Sequence, residues 1–344
     1  MESLSYRMAF NGLPAGEVQR IIRRSESGAS WVKACLQSAR EMRRLALHGQ
    51  SERCLGSARD AWFLAAAACQ AASFCMHLNP GAPAMRRALR VRRLARAAYG
   101  RALAMDRAAG EAVQIPFENH VIHGYLRRPP CAEPGPLVVL LNGLDSICEV
   151  EMHAFGTWLQ SRGLATLALD LPADFASRQR RPLFAVERAA PAIAAFVAKR
   201  RDIRSDACGA FGVSFGGYLV ARLLSGQSQF RCGVAVSPFM SLSARQMPER
   251  IRAMLAWSFG AHSHAQIEQL IANIGLESLP PPASPLLLFH MQEDQLCDER
   301  HALAFTEWGG AQVDLRLVAA EHVGTSAFHR WLPVACDWLQ QRLQ

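Results

Sequence analysis

The sequence predicts an α/β protein: a mostly parallel β-sheet flanked by helices over residues 111–344, preceded by an all-helical region over residues 1–110. Three observations carry this. LVVLLN (137–142), ATLALDLP (165–172) and PLLLFHM (285–291) are short continuous apolar runs, as expected of strands buried on both faces. Stretches with apolar residues at three- and four-residue spacing separate such runs, and this alternation implies a parallel sheet with right-handed crossovers. The first 110 residues contain no convincing strand pattern. At 344 residues the chain can hold one large α/β core and a smaller accessory region, because single cores rarely exceed roughly 250–300 residues.

Taken in order, residues 17–47, 58–77 and 84–109 each read as a helix, separated by His48-Gly49-Gln50 and by Asn79-Pro80-Gly81 followed by Pro83. The apolar stretch 61–76 is Ala-rich, interrupted by Gln70 and Ser73, and too short for a membrane span of roughly 18 or more apolar residues. A buried helix is expected there. Segment 85–101 carries seven arginines, and its spacing sets Leu89, Leu94 and Ala97 toward a core with the arginines on the solvent side. Trp31, Trp62 and Phe63 give this helical region apolar surface to bury, so it is expected to close the site and to contribute to a homodimer.

From residue 111 the grammar changes. VQIPF and HVIHGYLRRP read as an antiparallel pair joined near Glu118-Asn119. LVVLLN, a helix over 150–162, ATLALDLP, a helix over 186–199 and the strand CGAFGV follow. FGGYLVARLL is a helix closed by Gly226; CGVAVSP, PLLLFHM and VDLRLVA are further strands, and a helix over 327–343 ends the chain. Between residues 239 and 282 the alternation breaks into Met- and Leu-rich helical segments, the place for a lid inserted between two strands.

Composition narrows the function classes. The formal net charge is +9, but with only Lys33 and Lys199 as lysines the arginine dominance is general, and no nucleic-acid-binding module is present. Ten cysteines form no C-x-x-C pair, so neither a zinc site nor another metal or cofactor is expected. No basic segment followed by an apolar run opens the chain, so a cytoplasmic protein with reduced thiols is expected, with Cys35, Cys69, Cys75 and Cys232 in its core.

The chemistry centres on GVSFGG (212–217), which fits G-x-S-x-G. Its context gives it weight, because Ser214 stands between a buried strand and an amphipathic helix. That is the nucleophile elbow of the α/β-hydrolase fold, a sharp turn in which close neighbours must lack side chains, here Gly212 and Gly216. A serine hydroxyl needs a base to take its proton, and the expected chain order is Ser, acid, His. Asp294 follows the strand PLLLF, and His322 follows the last strand, both at carboxyl ends where the site must form. Glu293 and Asp298 are rival acids; His290 and His329 are rival bases. Backbone N–H groups of Phe215, after the nucleophile, and of Leu144, in the loop after LVVLLN, are the expected oxyanion donors, with Asn142 organising that loop.

VQIPFENHVIHGYLRRP, NGLDSICEVE, GVSFGG, QED and EHVG together resemble a group of α/β-hydrolases. It comprises dihydroxypseudooxynicotine hydrolases, fungal polyketide-shortening hydrolases and fermentation–respiration switch proteins. The resemblance covers most of 111–344, and a helical N-terminal region of this length is similar too. The group pattern is similar to G-G-x-D-S-x-x-E-E; Asn142 replaces its first glycine and Val150 its second glutamate, while Asp145 and Glu149 match. The resemblance implies that Asp145 and Glu149 line or brace the pocket. It also implies hydrolysis of a carbon–carbon bond beside a ketone, or release of an acyl group from a polyketide-like molecule. Esters and thioesters require the same residues, as does acyl transfer.

Overall fold

The buried apolar runs assemble into one eight-stranded sheet in the structure, a computed structural model that describes residues 2–27, 29–74, 82–106, 110–130, 133–170, 186–226, 228–243, 247–259, 261 and 263–344. β1 (Glu111–Phe117), β2 (His120–Arg127), β3 (Gly135–Leu141), β4 (Ala165–Leu169), β5 (Ile203–Val213), β6 (Cys232–Val236), β7 (Leu286–Met291) and β8 (Val313–Val318) lie in the order β1-β2-β4-β3-β5-β6-β7-β8. The β1–β2 and β2–β4 pairs are antiparallel, and every pair from β4 through β8 is parallel. β1 alternates buried and exposed residues as an edge hairpin should, whereas β4, β6 and β7 are buried throughout because helices cover both faces. From β3 the chain passes to β4 on one side and then to β5 on the other, and loops at such a reversal leave a crevice at the strands' carboxyl ends.

Helices α1 (Glu2–Phe10), α2 (Ala15–Glu26), α3 (Trp31–Ser51), α4 (Leu55–Phe74) and α5 (Ala82–Met105) precede the sheet. The single helix expected over 17–47 is two helices: α2 ends at Glu26, and Ser30 caps α3 by accepting from the Lys33 amide at 3.3 Å. A serine hydroxyl that satisfies an otherwise orphaned amide starts a new helix more effectively than it continues one. α1 carries no clear apolar stripe, and the spacing did not reveal it. α4 is buried along most of its length; its alanines let α3 and α5 approach closely. No helix among the described residues is long and apolar enough to cross a membrane. The turn at Asn79-Pro80-Gly81 and the thiol of Cys75 lie outside the described residues; Cys35, Cys69 and Cys232 are buried.

The apolar surface of the aromatic residues in the helical layer is used inside the chain. Trp62 is buried, Trp31 Nε1 donates to the Ala71 carbonyl at 2.9 Å, and the Phe63 ring lies 4.5 Å from the His153 imidazole. One expectation about side chains is corrected: in α5, Leu94 is 48% exposed while Arg92 is 3% exposed, the reverse of the expected arrangement. Arg92 and Arg96 turn inward because buried carboxylates await them, as described below, while Arg86, Arg87, Arg90, Arg93 and Arg101 keep the expected solvent side.

The remaining helices are α6 (Glu151–Gln160), α7 (Ala190–Ala198), α8 (Phe215–Leu224), α9 (Glu249–Phe259), α10 (His264–Ala272), α11 (Glu299–Gly309) and α12 (Phe328–Leu343). α9 and α10 form the insertion between β6 and β7, closed at its base by an antiparallel bridge between Ser241 and Gly275. Phe259 of α9 reaches the Phe215 ring at 5.7 Å, so the insertion sits over the start of α8.

Candidate active site

β5 ends at Val213 and α8 begins at Phe215, so a single residue makes the turn between them. That residue, Ser214, has φ 54° and ψ −119°, and its amide donates to the Val236 carbonyl at 2.8 Å. Non-glycine residues held there cost about 1–3 kcal/mol, which the surrounding glycines make bearable by letting backbone segments touch. A Cβ at Gly216 would overlap the Leu141 carbonyl, and one at Gly212 would overlap the Gly216 carbonyl. Gly216→Ala is therefore expected to lower Tm by about 10 °C or to abolish soluble expression. Gly56→Ala, where the added methyl meets nothing within 4 Å, is the control and should leave Tm nearly unchanged, both read by thermal unfolding.

The structure brings the three candidates together. Ser214 Oγ lies 2.9 Å from His322 Nε2, and His322 Nδ1 lies 2.7 Å from Asp294 Oδ2. The second carboxylate oxygen of Asp294 accepts from the amides of Leu296 and Cys297 at 2.8 and 2.9 Å. Burial pushes the Asp294 carboxyl up, but the His322 ring and these two amides outweigh it and hold the group below the usual carboxylate range. An ionised Asp294 places the ring proton on Nδ1 and leaves Nε2 to accept from the serine hydroxyl. The rivals stand elsewhere. Glu293 is exposed, Asp298 caps α11 and pairs with Arg300, His290 is buried in β7, and His329 is exposed in α12.

The turn carrying His322 is itself braced. Val323 and Gly324 adopt φ of 69° and 62°, and Ser237 Oγ, just after β6, accepts from the Val323 amide at 3.0 Å. Trp331 Nε1 donates to the Gly324 carbonyl at 3.0 Å, and Glu321 accepts from Thr325 Oγ1 at 2.7 Å and from the Ser326 amide at 3.0 Å. Ser237 and Glu321 went unnoticed in the sequence; the serine closing the CGVAVSP strand was the available signal.

The loop after β3 runs beside the serine: a methyl on Gly143 would lie 3.6 Å from Ser214 Cβ. Asn142 Nδ2 donates to the Gly143 carbonyl at 2.9 Å, and Leu144 and Phe215 are both buried at the same end of the sheet. Asp145 and Glu149, the two acidic residues of that loop, meet arginines of the helical layer. Arg7 grips Asp145 through two bonds of 2.5 and 2.9 Å, while Arg96 donates to Glu149 at 2.7 Å and also contacts Asp170. Their role as braces fits these contacts better than a role in lining the pocket. Among the described residues, two clusters have metal-ligand spacing, Cys148–Glu149–Asp170 and Asp294–Cys297–His322. Arg96 occupies the first, and the hydrogen bonds above use the second. A hollow of about 440 Å³ lined by Met240, Glu277, His301 and Trp308 lies by the insertion and contains none of the three triad candidates.

Residues 190–312 match the prolyl oligopeptidase family. The chain is 27% identical over 197 residues to a Penicillium oxalicum protein named Hydrolyase poxO; the match covers 54% of this chain and 46% of that protein, so it spans about half of the relative's length. Among solved structures, a 2,6-dihydroxy-pseudo-oxynicotine hydrolase superposes with TM-score 0.87 at 18% identity, covering 98% of this chain and 95% of its own. AbyA5 gives 0.69 at 16% identity over 96% and 94%, and the Pyrococcus furiosus esterase Pf2001 gives 0.52 at 21% over 68% and 93%. The two longer superpositions include the N-terminal helices, whereas the esterase covers too little of this chain to do so in full.

Proposed function

We propose, from the premise that this chain is an α/β-hydrolase by fold, that it is a serine hydrolase acting through an acyl-enzyme on a small carbonyl substrate. The observation that carries the reading is the continuous hydrogen-bonded path from Ser214 through His322 to Asp294, at 2.9 and 2.7 Å. Ser214 Oγ attacks the carbonyl carbon as His322 Nε2 takes the hydroxyl proton. Asp294 holds the imidazole in its tautomer and stabilises the imidazolium that forms. The carbonyl oxygen becomes an oxyanion, which the amides of Phe215 and Leu144 receive. Collapse expels the leaving group, His322 protonates it, and water repeats the sequence on the ester to release an acid.

For a ketone the bond that breaks joins the acyl carbon to its neighbour, and the electron pair leaves as an enolate or electron-rich aromatic carbon that takes the proton from His322. The fold shared along nearly the whole chain with a 2,6-dihydroxy-pseudo-oxynicotine hydrolase is the reason to test this chemistry beside simple ester cleavage. Residues 1–110 are assigned as the cap and 239–282 as the lid; the position of Phe259 against Phe215 supports the second assignment.

Labelling with a fluorophosphonate tests the reading. Wild type should label and His322→Ala should label at least about 10²-fold more slowly, because the general base is gone. Turnover of p-nitrophenyl butyrate, an acyl thioester and an aryl β-diketone then ranks the leaving groups. Wild-type protein that is folded yet fails to label and turns over none of the three would overturn the proposal.

A further inference from the structure

The loop after β3 is held at one end by the sheet and along the rest of its length by the N-terminal helices. In α1, Arg7 makes the two bonds to Asp145 described above and two more to Glu151, at 2.8 and 3.2 Å, with its guanidinium 4.0 Å from the centroid of the Phe74 ring. In α5, Arg92 donates to the Asp145 carbonyl at 2.8 Å; in α4, Gln70 donates to Ser146 Oγ at 2.9 Å. Arg96 holds Glu149. Burial pulls Arg7 down, but Asp145 and Glu151 more than offset this and keep it firmly charged. The three arginines face four carboxylates, those of Asp145, Glu149, Glu151 and Asp170, so the cluster has one carboxylate in excess and is no receptor for an anionic substrate. The same α1 helix reaches the base of the histidine turn, where Phe10 sits 4.6 Å from Phe155 and 4.8 Å from Phe328.

We propose that Arg7 is the positioning residue of the oxyanion loop: its fork fixes Asp145, and through it the adjoining Leu144 amide, so that the helical layer assembles the catalytic site besides covering it. The inference rests on the serine-hydrolase reading and deepens it. A guanidinium fork on a carboxylate defines direction as well as distance, which an ammonium does not. Leu144 is one residue from Asp145, and Gly143 is already against Ser214, so rotation of Asp145 moves a donor relative to the nucleophile. Displacement of about 1 Å in such a group typically costs on the order of 10²-fold in rate. Arg7 touches no member of the Ser214–His322–Asp294 path, so the nucleophile stays activated when the fork is lost.

The test uses full-length Arg7→Met, Arg7→Lys, Asp145→Asn and the Arg7→Met/Asp145→Asn double variant, with p-nitrophenyl butyrate as probe. Saturation labelling by a fluorophosphonate counts folded sites, so kcat per site is independent of any loss in stability. Arg7→Met and Asp145→Asn should each lower kcat per site by about 10²-fold with KM within about threefold, and Arg7→Lys should recover only a minor part. The double variant should be no worse than the poorer single, since both remove one coupling. Affinity for a trifluoromethyl ketone, which places an oxyanion in the hole, should fall in step with kcat/KM across the series, a correlation that a purely structural role would not produce. Values of kcat per site within about twofold of wild type in both single variants, or losses that multiply in the double, would overturn the clamp. If Arg7→Met fails to fold, Asp145→Asn carries the decision alone, because it keeps the side-chain volume. Wild type that neither labels nor hydrolyses the ester removes the underlying reading, whereas active wild type with insensitive variants removes the clamp only.

Discussion

Ser214→Ala is expected to reduce kcat by about 10⁴–10⁶-fold while moving Tm by no more than about 2 °C. The first part follows from geometry: the Ser214 hydroxyl is the group 2.9 Å from His322 Nε2, on the turn that faces the loop after β3. Without it the imidazole can activate only water, and residual rate comes from substrate binding and the oxyanion donors. The second part follows from how the elbow is held. The Ser214 amide is bonded to the Val236 carbonyl, and its positive φ is imposed by the contact of Gly212 with Gly216, none of which involves the hydroxyl. His322→Ala should fall to a similar level, and the double variant should fall no further, because the residues act as a unit. Steady-state kinetics with active-site titration, together with thermal unfolding, checks both parts. Activity above about one hundredth of wild type in Ser214→Ala would point to a mechanism in which the serine is not the nucleophile.

The sheet and the three triad candidates were legible because their signals are local. A strand buried on both faces writes itself as an unbroken apolar run, and the elbow writes itself as glycines on both sides of a serine. Asp294 and His322 were readable from the strands they follow, since the site of such a sheet is built from carboxyl-end loops. The helical layer was less legible for the opposite reason. Arg92 and Arg96 sit among alanines and leucines at helical spacing, a pattern that fits a solvated face equally well. What turns them inward is Asp145, Glu149 and Asp170, 53 to 74 positions further along the chain. Arg7 and Asp145 are 138 positions apart, and nothing in either neighbourhood specifies the pairing. The short α1 has the same character: its function lies in Arg7 and Phe10, whose partners belong to other elements.

Arg96→Met is expected to destabilise the protein by about 3–5 kcal/mol near pH 7, the usual consequence of removing one partner from a buried ion pair. The Arg96 side chain is 16% exposed, and the carboxylates it serves, Glu149 and Asp170, are 2% and 4% exposed. Arg92, close to Asp170, is pushed by burial down to about 10, the nearby carboxylates offsetting part of that effect, and it still leaves Asp170 a cation after the substitution. Glu149 keeps the Tyr125 hydroxyl at 3.3 Å, a weak thiol contact from Cys148 and the charge of Arg92, and together these replace only part of the lost ion pair. Urea unfolding of wild type and Arg96→Met at pH 7 measures the loss. Arg96→Met/Glu149→Gln, which removes both charges, should recover most of the loss at pH 7, because a neutral pair carries no desolvation penalty for an unpaired ion. An undiminished loss in the double variant would assign the effect to the packing of the arginine stem instead of its charge.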